Sequence, residues 1–459
     1  LTCHEEKETI NMKKCPGKFF LSLALSIAML MTGILWPTLA EEPLAIVEAK
    51  AIAETLPEGQ TVTGVRIEYP GQVVAGTVSI STYAVSGYSV IGVYTNDSGT
   101  PDDAQARGKY VFLKLAYSTI PGYSMGKTLQ YTGGINHLRE VHLDIRQNAN
   151  VTLADERVVN ASGFTNTGTI NVLVDDFLPI TFTNPEDGTT VSYRLFIPEG
   201  YDIRAESQEP LPLVLFLHGA GESGTNNISQ ILGNPSALEF ANARAQAKHP
   251  CFVLAAQKTN EASHGWAMNS GTKEQPFFEA SYILKNLKLA IDGLMEDYAI
   301  DGSRMYCTGL SMGGRGTFAM NIAYPDMFAA MLVVASCDIY TDEQLQPLTE
   351  KAIWLLLAAD ETEERITNMG GVIDQLEKLG AKVIRRVDDQ AWNGFARGYQ
   401  ADLLAREQIA EGANVLLTHY LKGTVVPSSH WSWMATYNND AIRDWLFDQQ
   451  LDTPYTPAR

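Results

Sequence analysis

From Pro179 to the end of the chain, continuous apolar runs alternate with segments whose apolar residues recur every three or four positions. The runs are LPLVLFLHG, PCFVLAAQ, residues 304–309, FAAMLVVAS, AIWLLLAAD and NVLLTHYL. Strands that are apolar on both faces cannot lie with one face in water, so they predict a parallel sheet covered by helices on both sides. Ile283, Leu287, Ile291 and Leu294 form one face of such a covering helix. Further helices are expected from about Met312, over 363–379 and from about Asn439. Residues 179–459 are therefore expected to form one α/β domain.

The preceding residues have a different period. Between about Pro43 and Asp176 the segments TVTGVRIEYP, GTVSISTYAV, YSVIGVYTND, KYVFLKLAYS, HLREVHLDIR and GTINVLVDDF are short and rich in β-branched and aromatic residues. Gly, Pro, Asn and Asp turns separate them, which is the spacing of an all-β immunoglobulin-like sandwich over residues 41–178. The Cys-Trp-Cys hallmark of antibody domains is missing. Residues 1–40 stand apart again, with Lys13, Lys14 and Lys18, an apolar run from Phe19 to Trp36, and Thr38-Leu39-Ala40 before Glu41. That order predicts a signal peptide cut near Ala40 and a secreted mature protein with no membrane association, the uncleaved anchor being the alternative.

A formal charge of −19 argues against nucleic acid or an anionic membrane as partner. Past Ala40 the cysteines are Cys251, Cys307 and Cys337, an odd number, and the last two lie in apolar runs. They read as buried hydrophobes and not as a disulfide framework. No Cys-x-x-Cys or His-Glu-x-x-His spacing occurs, and a metal shared by His137 and His142 in a strand-like segment is not expected. No metal or cofactor is predicted.

The chemistry concentrates in RMYCTGLSMGGRGTF, residues 304–318, where Ser311 sits among glycines between a strand and a helix. A serine on such a turn is held in a strained backbone conformation, and neighbouring Cβ atoms would collide with adjoining strands. The helix that follows aims backbone N–H groups at a reacting carbonyl. Gly-x-Ser-x-Gly alone is a weak pattern, but its strand–turn–helix setting is that of a nucleophile elbow. A hydroxyl needs a base, and the chain order Ser, acid, His leaves His419 and His430. His419 lies within a strand, whereas His430 lies in the polar loop VPSSHWSW, so His430 is the expected base. Asp360, the first carboxylate after IWLLLAA, is the expected acid, with Glu361 as its competitor. Oxyanion donors are expected from the N–H of Met312 and from Ala220 or Gly221 after LFLHG, with His218 tying down that loop. Trp266, Trp392, Trp431 and Trp433 are candidate pocket walls, and part of 388–412 could form a lid.

Three segments, DGSRMYCTGLSMGGRGTFAMNIAYPDMFAA, LFLHGAGESGTNN and HWSWMATYNNDAIRDWLFDQQ, resemble a bacterial family of secreted α/β-hydrolase esterases. These are akin to polyhydroxybutyrate-depolymerase-like and putative-peptidase sequences, and some carry an N-terminal immunoglobulin-like domain. The resemblance implies Ser311, Asp360 and His430 as a triad, and places Glu222 and Trp266 close to it. One departure is Ala358 where such proteins often have glycine two residues before the acid. The expected activity is that of a serine carboxylesterase on short- to medium-chain esters. The alternatives are a serine peptidase or a polymer-directed esterase (polyhydroxyalkanoate depolymerase, acetyl-xylan or feruloyl esterase) that binds its substrate with the β-domain. The expected partner is a small-molecule or polymer ester, and the β-domain could also mediate homo-oligomerisation.

Overall fold

The structure is a computed structural model that describes residues 44–101, 103–118, 126–202, 208–259, 265–271 and 276–457. The predicted signal peptide lies outside the described residues. No helix among the described residues is long and apolar enough to cross a membrane.

The apolar runs assemble into a nine-stranded sheet. Its order is Phe177–Thr183, Thr190–Phe196, Phe252–Gln257, Leu211–Leu217, Ile300–Leu310, Ala330–Val334, Ala352–Ala358, Val415–Tyr420 and Val383–Arg386. The first two strands are antiparallel, and from Phe252–Gln257 onward every neighbouring pair is parallel. Alternate residues face opposite layers. Val214 and Phe216 pack with Trp445 and Leu446 of the C-terminal helix Asp440–Phe447. Leu213, Leu215 and Leu217 pack with Ile283, Leu287 and Ile291 of the helix Tyr282–Asp297. Full burial of each such side chain is worth about 1.5–3 kcal/mol, which is why strands this apolar are found only where helices cover both faces. The edge strand Val383–Arg386 is absent from the sequence reading: four residues with two arginines carry too little apolar period to register.

Before this sheet, a five-stranded sheet packs against a three-stranded one around Val65, Ile67, Tyr83, Val85, Leu113 and Ile145. This is the expected immunoglobulin-like sandwich. The segment HLREVHLDIR, read as one strand, divides: Ile135–Leu138 pairs with Leu129–Thr132, whereas Asp144–Gln147 pairs with Tyr83–Val85 and Gly163–Thr165. The exposed Arg139 and Glu140 cross between them. The first strand of the hydrolase sheet begins at Phe177, so the division expected at 178/179 falls inside that strand.

Leu44–Arg459 forms one compact unit. Thr55 Oγ1 of the β-domain donates to the Ile231 carbonyl at 3.3 Å, and Leu129 packs against the hydrolase core. The segment 388–412 is no lid. Its helix, Tyr399–Ile409, is held to the C-terminal helix by Arg406–Asp444 at 2.9 Å and to strand Val415–Tyr420 by Gln408–Leu417 at 3.1 Å. Leu404 and Ile409 anchor it on the core.

Candidate active site

Ser311 stands at the carboxyl end of strand Ile300–Leu310 and caps the helix Met312–Ala323 with φ 53° and ψ −120°. A non-glycine residue held there costs about 1–3 kcal/mol and persists only when its surroundings dictate it. Here the dictating contacts are backbone ones. A Cβ on Gly313 would sit 1.8 Å from the Leu217 carbonyl oxygen, and one on Gly309 would sit 2.4 Å from the Gly313 oxygen. Both positions must be glycine if the helix is to start this close to strand Leu211–Leu217. The elbow expected from the sequence is present in this form.

His430 lies in a short 3₁₀ turn, Ser429–Trp431, after strand Val415–Tyr420. Its Nε2 is 2.8 Å from Ser311 Oγ, and its Nδ1 is 3.1 Å from Glu361 Oε2. The other Glu361 oxygen accepts from the Thr362 N–H at 3.1 Å and from the Arg365 guanidinium. Glu361 is almost fully buried. Burial alone would raise its pKa, but the bonds from His430, Arg365 and Thr362 outweigh it and hold the carboxyl at about 2. An ionised carboxylate can only accept, so Nδ1 carries the proton and Nε2 accepts from the Ser311 hydroxyl. His419 stays within its strand, as its position implied.

Asp360 is therefore not the acid that meets the imidazole. Its Oδ2 accepts from the Gly423 N–H at 2.9 Å and ties down the loop after Tyr420. The turn after Ala358 sends the two consecutive side chains to different neighbours, and it is Glu361 that reaches His430.

The loop after Leu217 closes the other side. His218 is fully buried, and its Nε2 accepts from the Lys258 N–H at 2.9 Å, so Nδ1 donates to the Gly219 carbonyl at 2.5 Å. Burial is the main cause that pushes its pKa down to about 3, so it is a neutral strut, as expected. A Cβ on Gly219 would lie 3.6 Å from Ser311 Cβ, which brings the 3₁₀ turn Ala220–Glu222 directly beside the elbow. Gly219, Ala220, Gly221 and Glu222 line one cleft of about 560 Å³ together with Ser311 and His430. The Met312 N–H, directly after Ser311, stands at the first turn of the helix Met312–Ala323. Glu222, 8% exposed, is raised by burial to about 7, against the opposing bonds from its own and the Gly219 backbone N–H.

Of the four tryptophans expected as pocket walls, two line the cleft. Trp431 and Trp433 do, the Trp433 ring standing perpendicular to His430 at 5.2 Å. Trp266 does not: it is buried against Gly316, its Nε1 donates to the His218 carbonyl at 3.1 Å, and it braces the loop from below. Trp392 is buried against Trp354 and Tyr420, away from the cleft. Residues that sequence reasoning missed are Arg365, which holds Glu361, and Pro57, Glu58, Tyr131 and Asn136, which the β-domain contributes to the cleft. Arg365 was detectable as the i+4 neighbour of Glu361. The β-domain residues had no sequence signal. Among the described residues, no group of acidic, His and Cys side chains could hold a metal.

Sheet order, serine elbow and the Ser–His–carboxylate chain together define an α/β-hydrolase fold of the serine-hydrolase kind, preceded by an immunoglobulin-like domain. Residues 48–160 match the esterase Ig-like N-terminal domain. Among solved structures, a thermostable esterase is similar at 29% identity and TM-score 0.73, covering 88% of this chain and 100% of that one. A feruloyl esterase module from Clostridium thermocellum matches at 14% identity and TM-score 0.38, covering 61% of this chain and 91% of its own. An S-formylglutathione hydrolase from Staphylococcus aureus matches at 12% and 0.37, covering 59% and 96%. No curated protein matches the chain. The resemblance to esterases with an N-terminal immunoglobulin-like domain holds, and the chain is an enzyme, a carboxylic ester hydrolase of the serine type.

Proposed function

We propose that the protein is a secreted carboxylesterase that cleaves short- to medium-chain esters through an acyl-enzyme on Ser311. The observation that carries this reading is the continuous hydrogen-bonded chain from Ser311 through His430 to the ionised Glu361. His430 Nε2 removes the hydroxyl proton as Ser311 Oγ attacks the ester carbon, and Glu361 stabilises the imidazolium that results. The N–H groups of Met312 and Ala220 donate hydrogen bonds to the developing oxyanion. His430 then protonates the departing alkoxide. Water, deprotonated by the same nitrogen, releases the acid and restores the serine. A cleft of about 560 Å³ is of the size that encloses small ligands. The leader with Lys13, Lys14 and an apolar run to Trp36 supports export.

The test is hydrolysis of p-nitrophenyl acetate, butyrate, octanoate and palmitate by the protein and by Ser311→Ala, with a peptide anilide in parallel. The expected result is turnover of the shorter esters and a loss of at least ~10³-fold in the variant. Cleavage of the anilide alone would replace the esterase reading with a peptidase. Equal activity of both proteins would remove Ser311 from the mechanism.

A further inference from the structure

The cleft that holds Ser311 is built by two domains. Tyr131 and Asn136 stand opposite each other in register on the hairpin Leu129–Thr132/Ile135–Leu138 of the immunoglobulin-like domain. Both line the cavity together with Ser311, His430 and Trp431. Contact with the oxyanion side is close: the position of a Cβ on Gly221 lies 3.3 Å from Tyr131 Cε2 and 3.4 Å from Asn136 Nδ2.

The hairpin forms a two-stranded sheet of its own, apart from the two sheets of the sandwich. Its base is nonetheless fixed. The Thr128 N–H donates to the Gln60 carbonyl at 3.1 Å, the Arg139 N–H donates to the Thr128 carbonyl at 2.8 Å, and Leu129 packs on the hydrolase core. Tyr131 itself is 67% exposed. A bulky ring fixed at its base, left open to water at the mouth of a reactive cleft and paired with the half-buried amide of Asn136, contributes little to either domain core. It is well suited to an apolar ligand surface with a polar anchor beside it.

We propose that Tyr131 and Asn136 contact the substrate, and that the immunoglobulin-like domain thereby sets specificity: Tyr131 covers the apolar part of the ester that projects past Gly221, and Asn136 hydrogen-bonds a polar group on it. This rests on the esterase reading, since it assigns the substrate of that same site. The contact lies away from the atoms that react, so it acts on ground state and transition state alike and changes KM more than kcat.

The experiment uses the full chain and p-nitrophenyl butyrate. Tyr131→Ala is expected to raise KM about tenfold with kcat within about twofold, Tyr131→Phe to keep the KM of the parent, and Asn136→Ala to raise KM severalfold. Val158→Ala, an exposed apolar residue of the same domain outside the cleft, is the control and leaves KM unchanged. A second arm places Tyr131→Ala on the Ser311→Ala background and titrates p-nitrophenyl butyrate calorimetrically, which reads binding without turnover. About tenfold weaker binding in the double variant supports the proposal even if Ser311 were not the nucleophile. An unmoved KM and Kd in Tyr131→Ala would overturn it. So would a fall in kcat and melting temperature together at constant KM, because the hairpin would then only brace the oxyanion loop.

Discussion

Glu361 holds His430 by a 3.1 Å bond to Nδ1, and is itself held by Arg365 and the Thr362 N–H. Removing the carboxylate charge deprives the imidazole of its fixed tautomer and of the charge that stabilises the imidazolium. Glu361→Gln is therefore expected to lower kcat by about 10³–10⁴-fold, measured by steady-state ester hydrolysis. Asp360→Asn, which alters only the anchor of the Gly423 loop, is expected to lower it less than about tenfold.

The same group makes stability depend on pH in acid. Its folded pKa of about 2 lies below the 4.5 of a free side chain. The stabilisation is complete above about 4.5, is lost as pH falls toward 2, and amounts to at most ~3 kcal/mol. Denaturant melts of the parent and Glu361→Gln should differ at pH 7 and converge near pH 2.

Glu222 has the opposite sign. Its folded pKa is raised to about 7, so the buried carboxyl is neutral when the unfolded chain is already ionised. Stability falls as pH rises from about 4.5 to 7, by up to ~3 kcal/mol, and stays at the lower value above that. Glu222→Gln should therefore be more stable than the parent at pH 8 and no more stable at pH 4.5, by urea denaturation at both values.

Gly313→Ala would place a methyl group 1.8 Å from the Leu217 carbonyl, where only backbone can give way. The helix start must then move away from strand Leu211–Leu217. The variant is expected to lose activity by more than about 10²-fold and to melt well below the parent by circular dichroism.

Trp266→Phe keeps an aromatic ring, smaller than the indole, and removes the donor that satisfies the His218 carbonyl at 3.1 Å. A buried carbonyl left unpaired costs about 1–3 kcal/mol. The melting temperature should fall by a few degrees and kcat should fall while KM stays near the parent value, because the loop that presents Ala220 loosens. A wall of the pocket would move KM instead.

How much of this was legible follows residue by residue. Ser311 and His430 were readable because an elbow needs glycines at fixed offsets and because a base must lie in a loop at the strand ends. The sequence favoured Asp360, the first carboxylate after the strand, over Glu361, whereas the structure puts Glu361 on the imidazole, since a turn of two residues decides which carboxylate faces it and leaves no periodic trace. Trp266 and Trp392 lie near the motifs in sequence but inside the core in space, and an aromatic ring has the same composition signal in either place. Tyr131 and Asn136 were invisible for a deeper reason: the contact joins residues some ninety positions apart in two domains, and hydrophobic period reports only on the element that contains it.

The tip of the hairpin that carries Tyr131 is Gly133-Gly134, with φ of 63° and 87° and nothing within 4 Å of either Cβ position. A turn so free of neighbours can be lengthened or shortened without disturbing any core, and each change would redraw the rim of the cleft. The reactive groups sit beside a sheet whose glycines admit almost no alteration, while part of the rim of their chamber, Tyr131 and Asn136, sits on a hairpin whose tip admits a great deal. Such a division lets the shape of the cleft mouth change by indels in a domain that carries none of the Ser311, His430 and Glu361 groups.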